Sequence, residues 1–197
     1  MNNIQKIWHH KELRKRILLT IGLLVIERIL AHIPMPGVNL EQLKTFFDRN
    51  QIFGLLNLFS GGTMSNFSII LMGIGPYITA SIVMQLLTII VPALEALQKE
   101  GEFGKQKINQ YTRYLTVPLA FIQGFSMLSL LRSQGVITHF DPINLITTLL
   151  VATAGTILLM WLGEIITENG IGNGVSLIIT VGIIASMPTS IRNTAAI

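Results

Sequence analysis

A run of 45 residues, from 50 to 94, contains no Asp, Glu, Lys or Arg, and further charge-free windows follow at 114–131, 142–163 and 169–191. Soluble monomers rarely leave so much contiguous apolar surface uncovered, because it drives association. A bilayer demands such windows: about 20 apolar residues, each rising about 1.5 Å, cross a hydrocarbon core of about 30 Å. Composition agrees, since 50% of the 197 residues are apolar, 12% are charged and mean hydropathy is +0.60. The chain reads as an all-α, multi-pass membrane protein.

The windows place spans near 17–33, 69–91, 114–131, 143–166 and 175–187. Pro34 with Pro36, Pro92 and Pro188 stand where the first, second and fifth should stop, because proline cannot continue the helical ladder. The 45-residue window is too long for one crossing and too short for two with a loop. Its middle, Ser60-Gly61-Gly62-Thr63-Met64-Ser65-Asn66, is small and polar. Backbone of this kind survives at membrane depth only when protein covers it or it lines a wet cavity, so a short re-entrant segment near 59–67 is expected before the second span. Residues 37–50 read as a solvated segment with a short amphipathic helix, 92–113 as a loop, and 170–174 as a glycine-rich turn.

The net charge of +4 does not mark a nucleic-acid binder, because the basic residues cluster beside apolar spans. Lys6, Lys11, Arg14, Lys15, Arg16, Lys99, Lys105, Lys107 and Arg113 fall on one side, against Lys44, Arg49, Arg132 and Arg192 on the other. The positive-inside rule then puts the amino terminus in the cytoplasm and residue 197 on the outer face of the cell membrane. A cleaved signal peptide at the basic start is disfavoured by Glu27, Arg28 and Pro34, which stand where small residues should precede cleavage. With no cysteine there is no disulfide or thiolate site, and His9, His10, His32 and His139 lack ligand spacing. No nucleophile, base and orienting group come together, so neither an enzyme nor a cofactor is expected. Gly170, Gly172 and Gly174 have no preceding strand, which removes a dinucleotide loop.

Five strings occur in order along nearly the whole chain. They are Arg28-Ile29-Leu30-Ala31-His32-Ile33-Pro34-Met35-Pro36-Gly37-Val38; Phe59-Ser60-Gly61-Gly62 with Phe67-Ser68-Ile69; Gly73-Ile74-Gly75-Pro76-Tyr77-Ile78-Thr79-Ala80-Ser81-Ile82; Lys99-Glu100-Gly101-Glu102 with Ile108-Asn109-Gln110-Tyr111-Thr112-Arg113-Tyr114; and Ile166-Thr167-Glu168-Asn169-Gly170-Ile171-Gly172-Asn173-Gly174. Together they resemble the amino-terminal half of the SecY family, the channel-forming subunits of the Sec protein translocon. The resemblance implies five transmembrane helices plus a short re-entrant plug helix, forming half of an inverted-repeat, protein-conducting channel. Secretory polypeptides would cross through it and membrane proteins would leave it sideways into lipid.

The resemblance also implies site residues. Ile74 and Ile78, and likewise Ile179 and Ile183, stand one helical turn apart and share a face, a pattern that lipid contact or packing explains equally well. By resemblance these four belong to a hydrophobic pore ring, which would block ions by excluding water. Phe59, Ser60, Gly61, Gly62, Thr63, Met64, Ser65, Asn66 and Phe67 correspond to the plug; many relatives carry a charged pair where residues 63–66 are uncharged here, so no ionic latch within the plug is expected. Thr79, Ile82, Gln85 and Gln123 correspond to the lateral gate, though their polar members also suit interhelical hydrogen bonding. The implied partners are SecE and SecG, the SecA motor ATPase, the ribosome, signal sequences and unfolded polypeptides, the lipid bilayer, and a second half of five further helices. The rival class is half of a secondary transporter with a broken-helix substrate site, and the lack of charge at the centre of spans two to five leaves it little with which to couple an ion gradient.

Overall fold

The computed structural model describes residues 10–36, 38, 40–50, 53–55, 57, 60–137 and 141–195. Phe59 of the expected plug lies outside the described residues. The chain is all-helical apart from turns and one isolated bridge among the described residues. Its first helix, α1 (Lys11–Ala31), begins six residues before the expected span and takes in the basic run. Charge sets how deep a helix can sit in a bilayer and does not itself end the helical ladder. At the other end the His32 N–H reaches back to the Ile29 and Leu30 carbonyls, and Pro34 follows.

The expected amphipathic helix is present as α2 (Leu40–Arg49). Leu43 and Phe47, one turn apart, are both buried, and the Phe47 ring meets Phe46 and Phe53 edge-on. Residues 60–74 then wind as consecutive turns instead of the expected plug helix and the first part of span two. Two features account for this difference. Gly61, Gly62 and Gly73 take positive φ, which interrupts a right-handed helix, and Pro76 would clash with the carbonyl four residues earlier if a helix ran through it. Proline is welcome in a first turn, and α3 (Gly75–Ile90) starts there.

The region 92–113, expected as a loop, is helical almost throughout. α4 (Pro92–Lys99) leaves α3 at an angle of 100°, and after Gly101 the chain enters α5 (Glu102–Ser133). At 32 residues α5 is about 48 Å long, well beyond a hydrocarbon core of about 30 Å, so its charged first turns project past the apolar zone. α6 (Pro142–Asn169) and α7 (Gly174–Ala195) complete the chain. α7 runs through Pro188, the expected stop, since one missing N–H removes a single rung and need not end a helix that neighbours support.

By length and composition α5 and α6 can each cross a membrane, and the bent pair α3 and α4 makes a third span if counted as one. The apolar part of α7, Gly174–Met187, is shorter, and α1 carries charge at both ends. α3 packs along α5, α5 on α6 and α6 on α7, with α1 lying across α6 and α7. α3 buries Pro76, Ala80, Met84 and Thr88, and α5 buries Thr112, Thr116, Ala120 and Gly124, every fourth residue in each. Small side chains at this spacing let helix backbones approach where lipid offers no hydrophobic drive. On α6, a Cβ at Gly155 would collide with the Ile69 carbonyl, so the turn segment rests directly on that helix.

Candidate functional site

Turn-rich backbone in the middle of a helical bundle must find its own hydrogen bonds. Residues 60–74 do so. Thr63 Oγ1 donates to the Ser60 carbonyl at 3.1 Å, Ser65 N–H donates to Asn57 Oδ1 at 2.9 Å, and Ser65 Oγ donates to the Gly62 carbonyl at 3.1 Å. A short antiparallel bridge between Pro34 and Ser68 stitches the segment to the chain leaving α1, with Met35 N–H on the Phe67 carbonyl and Ile69 N–H on the Ile33 carbonyl. Phe67, at φ 44°, is fully buried among Met35, Leu71 and Leu131. The strained backbone of Phe67 is held by that burial and by the bridge.

One turn of the segment meets two helices at once. Gly61, at φ +70°, leaves so little room that a Cβ there would lie 2.7 Å from the Gly182 Cα of α7 and 2.9 Å from Arg28 Nη2 of α1. Arg28 Nη1 donates to the Gly61 carbonyl at 3.4 Å. The same guanidinium forks onto the neighbouring Glu27 carboxylate, with Nε 2.6 Å from Oε2 and Nη2 on Oε1. Glu27 is 2% exposed. Sequence reasoning assigned Glu27 and Arg28 no site role, naming them against a cleavage site and Arg28 within a family string, and left out Gly182; a charged pair inside an apolar helix was the available signal.

Three of the four ring candidates come together. Ile74 is 6% exposed and packs with Ile70, Leu159, Leu162, Ile166 and Ile178, and Ile78 and Ile179 pack against the same cluster. The Ile78 N–H donates to the Ile74 carbonyl at 3.1 Å, so the turn-apart relation holds although Ile74 only caps α3. Ile183 is half-buried and is not part of that cluster. Its neighbour in the chain, Gly182, is the residue of α7 that meets the Gly61 turn.

Thr79, Ile82 and Gln85 share the exposed face of α3, opposite its buried row. Thr79 Oγ1 donates back to the Gly75 carbonyl at 3.1 Å, and Gln85 Nε2 reaches Ser81 Oγ at 3.5 Å. Their hydrogen bonds thus stay within their own helix, and Leu86 and Ile89 continue the exposed face. Gln123, on α5, is half-buried.

Two cross-links fix the opposite end of the bundle. Thr20 Oγ1 donates to the Arg16 carbonyl at 2.9 Å and accepts the Ile171 N–H at 3.2 Å, which ties α1 to the turn between α6 and α7. That turn is further closed by Gly174 N–H on Thr167 Oγ1 and Ser176 N–H on Asn173 Oδ1. Among the described residues no cluster of three His, Asp or Glu side chains could hold a metal.

Residues 68–197 match the SecY family model. The chain is 45% identical, over 91% of its length, to the protein translocase subunit SecY of Streptomyces scabiei, and 42% identical, over 90%, to that of Mycobacterium tuberculosis H37Rv. It spans only about 44% of the length of the former and 43% of the latter. Among solved structures it is similar to Sec61 in a canine ribosome–channel complex from the endoplasmic reticulum, with a TM-score of 0.61 at 21% identity over 88% of this chain and 37% of that one. A SecY structure concerned with a plug domain that stabilises the closed state of its channel gives a TM-score of 0.62 at 22% identity, over 88% of this chain and 36% of the other. At such identities the likeness speaks for the fold. With the family match covering well over half of its residues, the chain belongs to the SecY family.

Proposed function

We propose that this chain supplies one half of a protein-conducting channel, through which unfolded secretory polypeptides cross the membrane and from which membrane proteins pass sideways into lipid. The observation that carries the reading is the seating of residues 60–74 inside the bundle, against the helix that bears Ile179 and Ile183. In this role Ile74, Ile78, Ile179 and Ile183 form part of an apolar ring that excludes water, and residues 59–67 form the plug above it. Thr79, Ile82 and Gln85 face the lateral opening, with Gln123 behind them on α5. Their exposed face is suited to an opposing helix, because the Gln85 amide, with one 3.5 Å contact to Ser81, carries further polar groups that are costly toward hydrocarbon unless paired.

Two ring helices enclose only an arc, so a second half of five helices completes the pore. The chain crosses the membrane five times in this reading, amino terminus inside. Driving force comes from outside the channel, from a SecA-type motor or a ribosome, while SecE- and SecG-type subunits complete the complex. The segment from α4 into α5, with Lys99, Lys105, Lys107 and Arg113, is the contact this half offers on the cytoplasmic side.

Co-expression tests the proposal. Residues 1–197 with a separately encoded second half should give a monodisperse complex and signal-dependent translocation into vesicles, and neither should be seen without the second half. Translocation by residues 1–197 alone would refute the half-channel reading.

A further inference from the structure

Arg28 and Glu27 sit in a helix that is otherwise uncharged from residue 17 onward, and the translocation reading gives them no task. Arg28 stands in the last turn of α1, and a charged pair within an apolar segment is costly unless it is engaged. Here the buried Glu27 carboxylate holds the guanidinium by a two-pronged contact, which fixes its plane and leaves Nη1 free to reach the Gly61 carbonyl. The site is three-sided: Arg28 from α1, Gly61 from the turn segment, and Gly182 from α7, whose own Cβ would lie 3.4 Å from the Gly61 Cα. Gly182 follows Val181 and precedes Ile183, so the turn is pressed against the helix that carries two of the ring candidates.

We infer that Arg28, oriented by Glu27, is a positioning residue that clasps the 60–67 turn onto α7 at Gly182 and so holds the channel shut. The inference rests on the plug reading and adds to it the group that retains the plug. Residues 63–66 carry no charge, so retention cannot come from an ion pair within the turn; a cation placed on its backbone carbonyl serves with any side-chain sequence there. Release at Gly61 breaks one charge-assisted hydrogen bond and separates two glycine backbones, while the Glu27–Arg28 pair and the Pro34–Ser68 bridge can stay in place as the hinge. Gly61 is needed for the approach, because its Cβ would lie 2.7 Å from the Gly182 Cα, and also for its left-handed φ.

The test uses the chain with its second half in native membranes and in planar bilayers. The protein lacks cysteine, so Thr63→Cys, at a position 1% exposed, reports seating through its labelling rate with a membrane-impermeant maleimide. In that background Arg28→Gln should speed labelling by at least about fivefold, as expected for loss of one hydrogen bond to a charged donor, and should raise resting ion conductance. Arg28→Lys, which keeps a cation within reach, should restore at least half of the slow labelling. Gly61→Ala keeps both charged residues and places a methyl 2.7 Å from the Gly182 Cα, so it should act in the same direction even if Arg28→Gln fails to assemble. Unchanged labelling in the assembled variants overturns the clasp, and so does faster labelling without added conductance. Ile74→Asn with Ile78→Asn is the separate control: absence of leak in that variant removes the pore reading, whereas leak there with no effect at Arg28 removes only the clasp.

Discussion

Arg113 Nε lies 2.8 Å from Glu164 Oε1 and so joins α5 to α6 at the very residues that border their charge-free windows. The two partners are not equivalent. The Arg113 side chain is 45% exposed, Glu164 only 14%, and Glu164 Oε2 is buried with no hydrogen-bond partner among the described residues. Removing the arginine strands a mostly buried carboxylate, whereas removing the carboxylate charge leaves an arginine that water can reach. Arg113→Gln should therefore destabilise the detergent-solubilised complex by about 1–2 kcal/mol more than Glu164→Gln, a modest difference because half of the pair is solvated. Equal losses in thermal unfolding of the two variants would show that the pair contributes as an ordinary surface contact.

Two helical glycines should respond in opposite ways to the same substitution. Gly155 on α6 has the Ile69 carbonyl where its Cβ would go, so Gly155→Ala must displace the turn segment or the helix and should cost about 2 kcal/mol or more. Gly22 on α1 has nothing within 4 Å, and Gly22→Ala should be neutral or stabilising by up to about 1 kcal/mol through helix propensity. Thermal stability of the two variants, measured side by side, decides the matter. A tolerated alanine at 155 would mean that the turn does not rest on α6 as described.

Topology offers an independent check. The basic residues outside the expected spans, all but Arg28, are divided nine to four between the two sides in the five-crossing arrangement, and the number of crossings is odd. A reporter fused at Asn2 should be active in the cytoplasm and one fused after Ile197 on the outer face. Both reporters on the same face would require an even number of crossings, with the short α7 as the first element to reassign.

Membrane character, helical class and the order of the apolar segments follow from the linear pattern alone, because a bilayer imposes the same requirement on every span whatever its neighbours do. The broken element between 50 and 94 was legible for the same reason: Ser60 to Asn66 are too polar for lipid and too short of charge for a solvated loop. Helix ends were less legible. The charged residues of α1 and of the first turns of α5 were assigned to leader and loop, yet they are helical, since hydropathy records depth and not hydrogen bonding. Only the folded chain decides what meets at the site. Gly61 and Gly182 are separated by more than a hundred residues, and nothing in their spacing announces that their Cα atoms pack against each other beneath the Arg28 guanidinium. Likewise Ile74, Ile78 and Ile179 share one cluster while Ile183, one turn beyond Ile179 on the same face of α7, does not. Periodicity specifies which face a residue occupies on its own helix; the partner of that face is set by how the helices cross, and that depends on every contact made at once.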